Sequence, residues 1–435
     1  MTNFSYRQSV GLRLFIIAGL SLLLLIPAAL IIFLIDERKE RRDHAILEVS
    51  EKWGQSQIIG GPILTIPYQR VVGSSDGKTV TTVVEQAHFL PDFLQVSGEL
   101  TPEIRHRGIY DVVLYQSDLQ VTGTFPAPDF DELGIAPKDI LWQDAVFALG
   151  ISDLKGIRET IVIKWNGVEH IANPGIESKD VLLSGISVKP ALQPGAAAHS
   201  FHVALKLNGS GELQFLPVGK ETKVKIAAAW GNPSFVGSFL PAARELRHDR
   251  FTAEWSVLHL NRNYPQQWLG PRQELAASAF GVRLLLPIDE YQKTTRSAKY
   301  AIMFIALTFL AFFMTEILNR RILHPIQYLL VGFALLVFYT LLLSLSEYLP
   351  FNRSYLIASA AVVILISAYT RGMMQSNAIA LLIGGILVLL YGFLFVILQL
   401  QDYALLLGSI GLFVILALVM YLTRKIDWFN VGRAD

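Results

Sequence analysis

The sequence predicts an integral membrane α-helical bundle of six transmembrane helices, one plus five, with a large all-β domain inserted after the first helix. Three observations carry that reading. Residues 14–35 form a charge-free apolar run, five more apolar runs crowd residues 300–423, and residues 36–299 between them have the mixed composition of a body folded in water. Hydrophobic residues make up 52% of the chain and charged ones only 17%, too few charges for a protein that is soluble throughout.

A helix that crosses a bilayer needs about 20 apolar residues, because hydrocarbon offers no partner to exposed backbone amides. Besides 14–35, the candidate runs are 300–318, 326–346, 354–370, a stretch within 372–398, and 403–423. Between Arg371 and Arg424 the only formal charge is Asp402, so this length must turn back once, at Gln399-Leu400-Gln401-Asp402-Tyr403. The first run exceeds a usual signal-peptide core and no small-x-small site precedes the charged segment after it, so it reads as an uncleaved anchor. The expected division is an N-terminus with anchor at 1–35, a β-rich domain at 36–299, a five-helix bundle at 300–423 and a tail at 424–435.

Basic residues in the short loops set the expected orientation. Arg7, Arg13, Arg320, Arg321, Arg371, Arg424, Lys425 and Arg433 fall on one side, and Arg353 alone on the other. Both termini are therefore expected in the cytoplasm and the large domain in the periplasm. The segment Asp36-Glu37-Arg38-Lys39-Glu40-Arg41-Arg42-Asp43 opposes this, but long domains translocate largely regardless of charge.

Within 36–299 there are 28 Lys and Arg against 31 Asp and Glu, a net charge near −3 that does not suit a nucleic-acid partner. The absence of cysteine removes thiolate metal sites and thiol catalysis, and leaves stability to the core alone. Alternating runs at 159–165, 201–207, 222–230 and 251–260, with a turn feeding a strand at 105–115, predict an antiparallel β-sandwich or related all-β body. Asn166-Gly167 and Asn208-Gly209 are hairpin signals. Helix is expected at 37–51, with a shorter piece at 139–149. Ser97-Gly98-Glu99-Leu100 recurs as Ser210-Gly211-Glu212-Leu213, and Gly123-Thr124-Phe125-Pro126 is echoed at 237–241; the near-equal offsets admit two β units in tandem.

A family resemblance runs through nearly the whole chain. It is carried by Trp53-Gly54, Gly60-Gly61-Pro62-Ile63-Leu64-Thr65-Ile66-Pro67-Tyr68, Leu90-Pro91-Asp92 and Arg105-His106-Arg107-Gly108-Ile109-Tyr110. Further on come Pro233-Ser234-Phe235-Val236-Gly237, Leu260-Asn261-Arg262-Asn263-Tyr264-Pro265, His324-Pro325-Ile326-Gln327-Tyr328 and Leu343-Ser344-Leu345-Ser346-Glu347. Together these resemble the CreD family of bacterial inner-membrane proteins, also described as cell-envelope integrity or colicin-tolerance proteins. The resemblance implies an inner-membrane protein with a periplasmic domain, tied to envelope integrity and stress response. It hands over no catalytic residue and no cofactor.

The residues themselves offer a few candidates. Arg105, Arg107 and Tyr110 surround Gly108, and an arginine pair there can take a carboxylate or phosphate, or simply pair with Glu99, Glu103 or Asp111. Trp255, Asn261, Arg262, Tyr264, Gln267 and Trp268 form the densest aromatic–polar segment, suited either to a glycan or peptide or to a core and turn. His199 and His202 fall on opposite faces of a strand, which disfavours a metal pair. No Walker-type loop or His-Glu-x-x-His occurs. In the membrane half, Glu316, His324, Glu347 and Asp402 all read as interfacial, with Glu316 able to pair with Arg320 at i, i+4. Gly384, Gly385, Gly392, Gly408 and Gly411 read as close-packing positions, with oligomer contacts as a second option.

These readings favour a non-enzymatic envelope protein whose partners are the lipid bilayer and other envelope components, with its oligomeric state open. A transporter or export component for a lipid or amphipathic molecule requires a polar path through the bundle. An envelope enzyme acting on peptidoglycan or lipid requires converging acid, base or metal groups.

Overall fold

The computed structural model describes residues 10–73, 80–176, 183–192, 195, 198–270, 273–286, 290–319, 321–400 and 403–424. The chain begins with α1 (Val10–Leu23) and α2 (Leu25–Trp53), then β1 (Gln57–Gly73), β2 (Val80–Phe89), β3 (Phe93–Arg107), β4 (Tyr110–Pro126) and β5 (Val146–Ile151). There follow β6 (Val162–Trp165), β7 (Val168–Ile171), β8 (Asn173–Pro174), β9 (Gly185–Val188), β10 (Ala198–Ser210), β11 (Glu212–Phe215) and β12 (Glu221–Ala228). The strands end with β13 (Pro233–Gly237), β14 (Ala243–Leu246), β15 (Phe251–Leu258), β16 (Gln267–Leu269) and β17 (Phe280–Leu284). The remaining helices are α3 (Glu290–Lys299), α4 (Ala301–Leu318), α5 (Pro325–Ser346), α6 (Phe351–Met374), α7 (Asn377–Gln399) and α8 (Ala404–Thr423).

Contacts divide the chain into two compact units, Asp43–Pro287 and the pair Met1–Arg42 with Ile288–Asp435. Composition alone placed the borders at 35/36 and 299/300. The shift has two causes. Helix α2 carries on past the charged segment 36–43, helped by i, i+4 pairs from Arg41 to Glu37 and Lys52 to Glu48. Helix α3, by contrast, packs against α4, α5 and α7.

In the β unit two sheets share one hydrophobic core. One is nine-stranded, ordered β13-β17-β11-β1-β5-β9-β8, with β2 pairing β1 and β16; the other is eight-stranded, ordered β14-β15-β12-β3-β4-β10-β6-β7. Rings from both sheets meet between them. Phe147 of β5 lies 5.6 Å from Trp165 and from Phe201, and Phe280 of β17 lies 5.7 Å from Trp255. The pairing is not wholly antiparallel: β1 runs parallel to β11, and β3 parallel to β12. The strands β1, β3, β4, β5 and again β11, β12, β15, β17 pass from the nine-stranded sheet to two strands of the eight-stranded one and back, and the two parallel pairs join these runs. The four-residue echoes do not mark that relation. Ser97–Leu100 lies inside β3, whereas Ser210–Leu213 spans the turn from β10 into β11.

Two local expectations fail for identifiable reasons. The expected helical piece at 139–149 is realised only as a 3-10 turn at Trp142–Asp144; from Val146 the chain enters β5, whose residues are all buried, and a strand covered on both faces shows no alternation. Asn208-Gly209 is not a turn but part of β10, with Gly209 beneath the Tyr115 ring, where any Cβ would collide. The chain turns instead at Gly211 (φ +66°). Asn166-Gly167, with φ of 48° and 83°, does make the expected hairpin from β6 to β7.

Among the described residues six helical segments are long and apolar enough to cross a membrane: Val10–Trp53, which belongs to the other unit as far as Arg42, then Ala301–Leu318, Pro325–Ser346, Phe351–Met374, Asn377–Gln399 and Ala404–Thr423. The first is interrupted only at Leu24. There Pro27 has no N–H for the Leu23 carbonyl, while Leu24 and Ala28 still donate to Leu20 and Leu24. Aromatic rings fill the interior: Tyr328 packs on Phe309 and Phe312, and Phe338 on Tyr355 and Tyr391. The last helix differs, since among its described residues only Ala404 is buried. Of the glycines expected to admit close packing, Gly384 faces Ser367 and Gly411 faces Phe393. Gly385, Gly392 and Gly408 have open space where a Cβ would stand, so close approach does not explain them.

Candidate functional site

The β3–β4 hairpin turns at Gly108 (φ +63°) and projects the first cluster, but its arginines are engaged within the unit. Arg105 lies 4.1 Å over the Trp53 ring and its Nε donates to Glu103 at 2.9 Å. Arg107 donates to both carboxylate oxygens of Glu48, at 3.0 and 3.2 Å. Hydrogen bonds from Lys52 and Arg107 lower the Glu48 pKa. Tyr110 pairs with Arg107 across the hairpin. The hairpin therefore grips the last turns of α2, and Trp53 Nε1 adds a bond to the Tyr115 carbonyl at 3.4 Å.

The second cluster is a knot of core and loop contacts. Trp255 is buried with its Nε1 donating to the Phe239 carbonyl at 3.2 Å, and Trp268 is buried beside His88, ring centroids 5.2 Å apart. Arg262 is buried too. It donates to the carbonyls of Tyr264 (2.6 Å) and Val218 (3.1 Å) and to the Gln266 side chain, and burial lowers its pKa. Gln266 in turn donates to the Pro91 carbonyl at 3.0 Å, so one guanidinium ties three loops together. Asn261 Oδ1 accepts from Leu258 N, the Tyr264 hydroxyl donates to the Pro217 carbonyl, and Gln267 donates to Glu132. Most of the group is turned inward onto the protein, and Arg262 Nε and Trp268 Nε1 are buried without a hydrogen-bond partner.

The histidines occupy opposite faces as expected, His199 buried and His202 partly exposed. Asn166 Oδ1 accepts from Ser200 N, which turns its Nδ2 toward His199 Nδ1, so that nitrogen must accept. Among the described residues no group of three His, Cys, Asp or Glu is placed to hold a metal. Gly73-Ser74-Ser75-Asp76-Gly77 has the Gly-x-Ser-x-Gly spacing of a nucleophile elbow. It links two antiparallel strands, β1 and β2, whereas such an elbow joins strand to helix, and residues 74–79 lie outside the described ones. A groove of ≈ 810 Å³ beside β7, β8 and β9 is lined by Glu169, His170, Asn173, Ser187 and Lys189 among others. Glu169 pairs with Lys164 at 3.0 Å, and Ser187 Oγ donates to the Gly175 carbonyl at 2.8 Å.

The membrane unit brings together a site that sequence reasoning missed. Glu316, in the last turn of α4, is enclosed by protein: it is 2% exposed, and Arg13 on α1 is 4% exposed. Arg13 Nη1 donates to Glu316 Oε1 at 2.8 Å and the Tyr328 hydroxyl donates to Oε2 at 2.8 Å. The expected partner Arg320 lies outside the described residues, as does Asp402; the neighbouring Arg321 donates to the Met374 carbonyl. His324 caps α5, its Nδ1 accepting from Ile326 N while the Gln327 side chain accepts from His324 N. Glu347, at the far end of α5, pairs with Arg38 of α2 at 3.3 Å. The signal was present in the sequence: Arg13 and Arg38 flank the first apolar run, and the bundle holds very few acids.

Six helices able to cross a membrane, one before a long β insertion and five after it, define a multi-pass membrane protein. The family model described as "Inner membrane protein CreD" matches residues 9–429. The chain is also 35% identical to the Inner membrane protein CreD of Escherichia coli (strain K12) over 418 residues, covering 94% of this chain and 92% of that one. The chain belongs to the CreD family of inner-membrane proteins.

Proposed function

We propose that this protein is a non-enzymatic brace of the cell envelope, supporting envelope integrity and stress tolerance from the inner membrane through a β unit held on the periplasmic side. The observation that carries this reading is α2. One uninterrupted helix belongs to the membrane unit as far as Arg42 and to the β unit beyond it, where Arg107 and Arg105 hold its Glu48 and Trp53. A helix is a stiff connector, fit to pass a displacement between an anchor and a scaffold. Arg105, Arg107, Asn261 and Gln267 are engaged with internal partners, which suits contact with envelope components better than turnover of a substrate. Colicin tolerance would follow from the same contacts.

The test has two arms. Deleting the gene should raise sensitivity to detergent and cell-wall antibiotics, and unchanged sensitivity would overturn the envelope role. Inserting four Gly-Ser residues after Arg42 should leave the protein in the membrane but abolish complementation; full complementation would overturn bracing through α2. Because the chain has no cysteine, single cysteines placed in the β unit report the orientation directly: labelling by an impermeant thiol reagent in spheroplasts supports a periplasmic β unit.

A second reading, export of an amphipathic molecule, draws on one observation. The hydroxyls of Thr308, Tyr339 and Tyr391 are buried in the bundle without hydrogen-bond partners. If they line a path, Tyr391→Phe should impair complementation as severely as deletion. Under the bracing reading it should complement fully.

A further inference from the structure

The first membrane segment meets the bundle through charge at both ends of its apolar run. Arg13 and Arg38 stand 25 positions apart. At about 1.5 Å per residue they are ~37 Å apart along the helix, slightly more than the ~30 Å hydrocarbon thickness. Each meets a glutamate of the C-terminal helices, Arg13 with Glu316 and Arg38 with Glu347. Between these pairs lies a steric key. Gly332 of α5 leaves room for the Leu24 side chain, and a Cβ there would collide with it. Taken in order, residues 13, 24 and 38 of the first segment meet Glu316 with Tyr328, then Gly332, then Glu347.

In lipid an apolar helix is poorly held in register. Its neighbours and the acyl chains are equally apolar, so a slip of one turn, about 5.4 Å, changes little apolar burial. The same slip would strand Arg13 and Glu316 as buried unpaired charges, the one outcome a low-dielectric interior strongly disfavours. We propose that the two arginine–glutamate pairs form a register clamp. They fix the depth and rotation of the N-terminal helix against α4 and α5, which are made some 300 residues later. The pairs choose the register and the apolar contacts then hold it. This inference is independent of what the β unit contacts.

The test uses full-length protein in membrane vesicles, where the lack of native cysteine gives a clean background. One reporter carries Leu24→Cys with Gly332→Cys. The other, displaced by one turn, carries Leu24→Ala, Ala28→Cys and Gly332→Cys. With both pairs intact, oxidation should join the first reporter and hardly the second. Neutralising the clamp with Arg13→Met, Glu316→Leu and Arg38→Ala should reduce that preference by about tenfold or more. Exchanging the charges, Arg13→Glu with Glu316→Arg, should restore it. Loss of the neutralised variant from the membrane with retention of the exchanged one also supports the clamp. An unchanged preference in the neutralised variant overturns it, as does equal loss of both, because the residues would then matter for something other than their pairing.

Discussion

The two units use charge in opposite ways. In the β unit ion pairs are plentiful and largely exposed, and several are local: Arg105 with Glu103, Lys223 with Glu221, Arg247 with Glu245. Each joins residues already adjacent on a strand or loop, where water solvates either partner almost as well alone. In the membrane unit Arg13 and Glu316 are 303 positions apart and nearly inaccessible. The β unit takes its specificity from ring packing and strand register, so its surface charges can be redundant. The membrane unit has apolar surface everywhere, and its rare charges become the means of distinguishing one packing from another.

Substitutions can break or sharpen that contrast. The largest effect should come from Glu316→Ala, which leaves Arg13 buried without its counter-charge; a loss of about 3–5 kcal/mol is expected, read as the midpoint of denaturation in detergent micelles. Arg13→Met with Glu316→Leu should recover most of that loss, and failure to recover would mean that the charges do more than satisfy each other. Next comes Arg262→Ala, the exception inside the β unit, where one buried guanidinium ties three loops; about 2–3 kcal/mol is expected. Were it as harmless as a surface pair, the contrast between the units would be one of environment alone, without regard to burial. Tyr328→Phe, which removes one donor to Glu316, should cost about 1–2 kcal/mol.

Smaller still is a pH effect at His199. Burial lowers its pKa from the ordinary 6.5, and Asn166 donates to its ring, so the folded protein favours the neutral form. Below pH 6.5 the unfolded chain therefore binds the proton more readily. Stability should be full above that pH and decline as the pH falls through the lowered folded value, and His199→Phe should flatten this part of the profile. Arg107→Ala comes last, with little or no shift in the unfolding midpoint expected, since both it and Glu48 are exposed.

What could be read from the sequence follows the range of the interactions concerned. The six spans were legible because each is a contiguous apolar run that lipid alone requires. The Asn166-Gly167 hairpin was legible because its strands are a few positions apart; for the two arginines Glu103 was one of three acids open to them, and Glu48, the distant partner of Arg107, was not among these. Asn208-Gly209 misled because Tyr115, a distant residue, supplies the ring that makes Gly209 necessary. The 139–149 segment misled because β5 is covered on both faces, and the parallel pairing of β1 with β11 has no local signature at all. Glu316 was noticed, but its partner was sought one turn away when it lay at the other end of the chain.

The bare last helix has a practical corollary. With Ala404 its one buried position among those described, α8 adds width in the bilayer and almost no cohesion. The packed interior is thus built from residues up to 399. Reporter fusions or truncations beyond that point should leave the remaining helices assembled, which makes the carboxyl end the natural handle for purification and imaging.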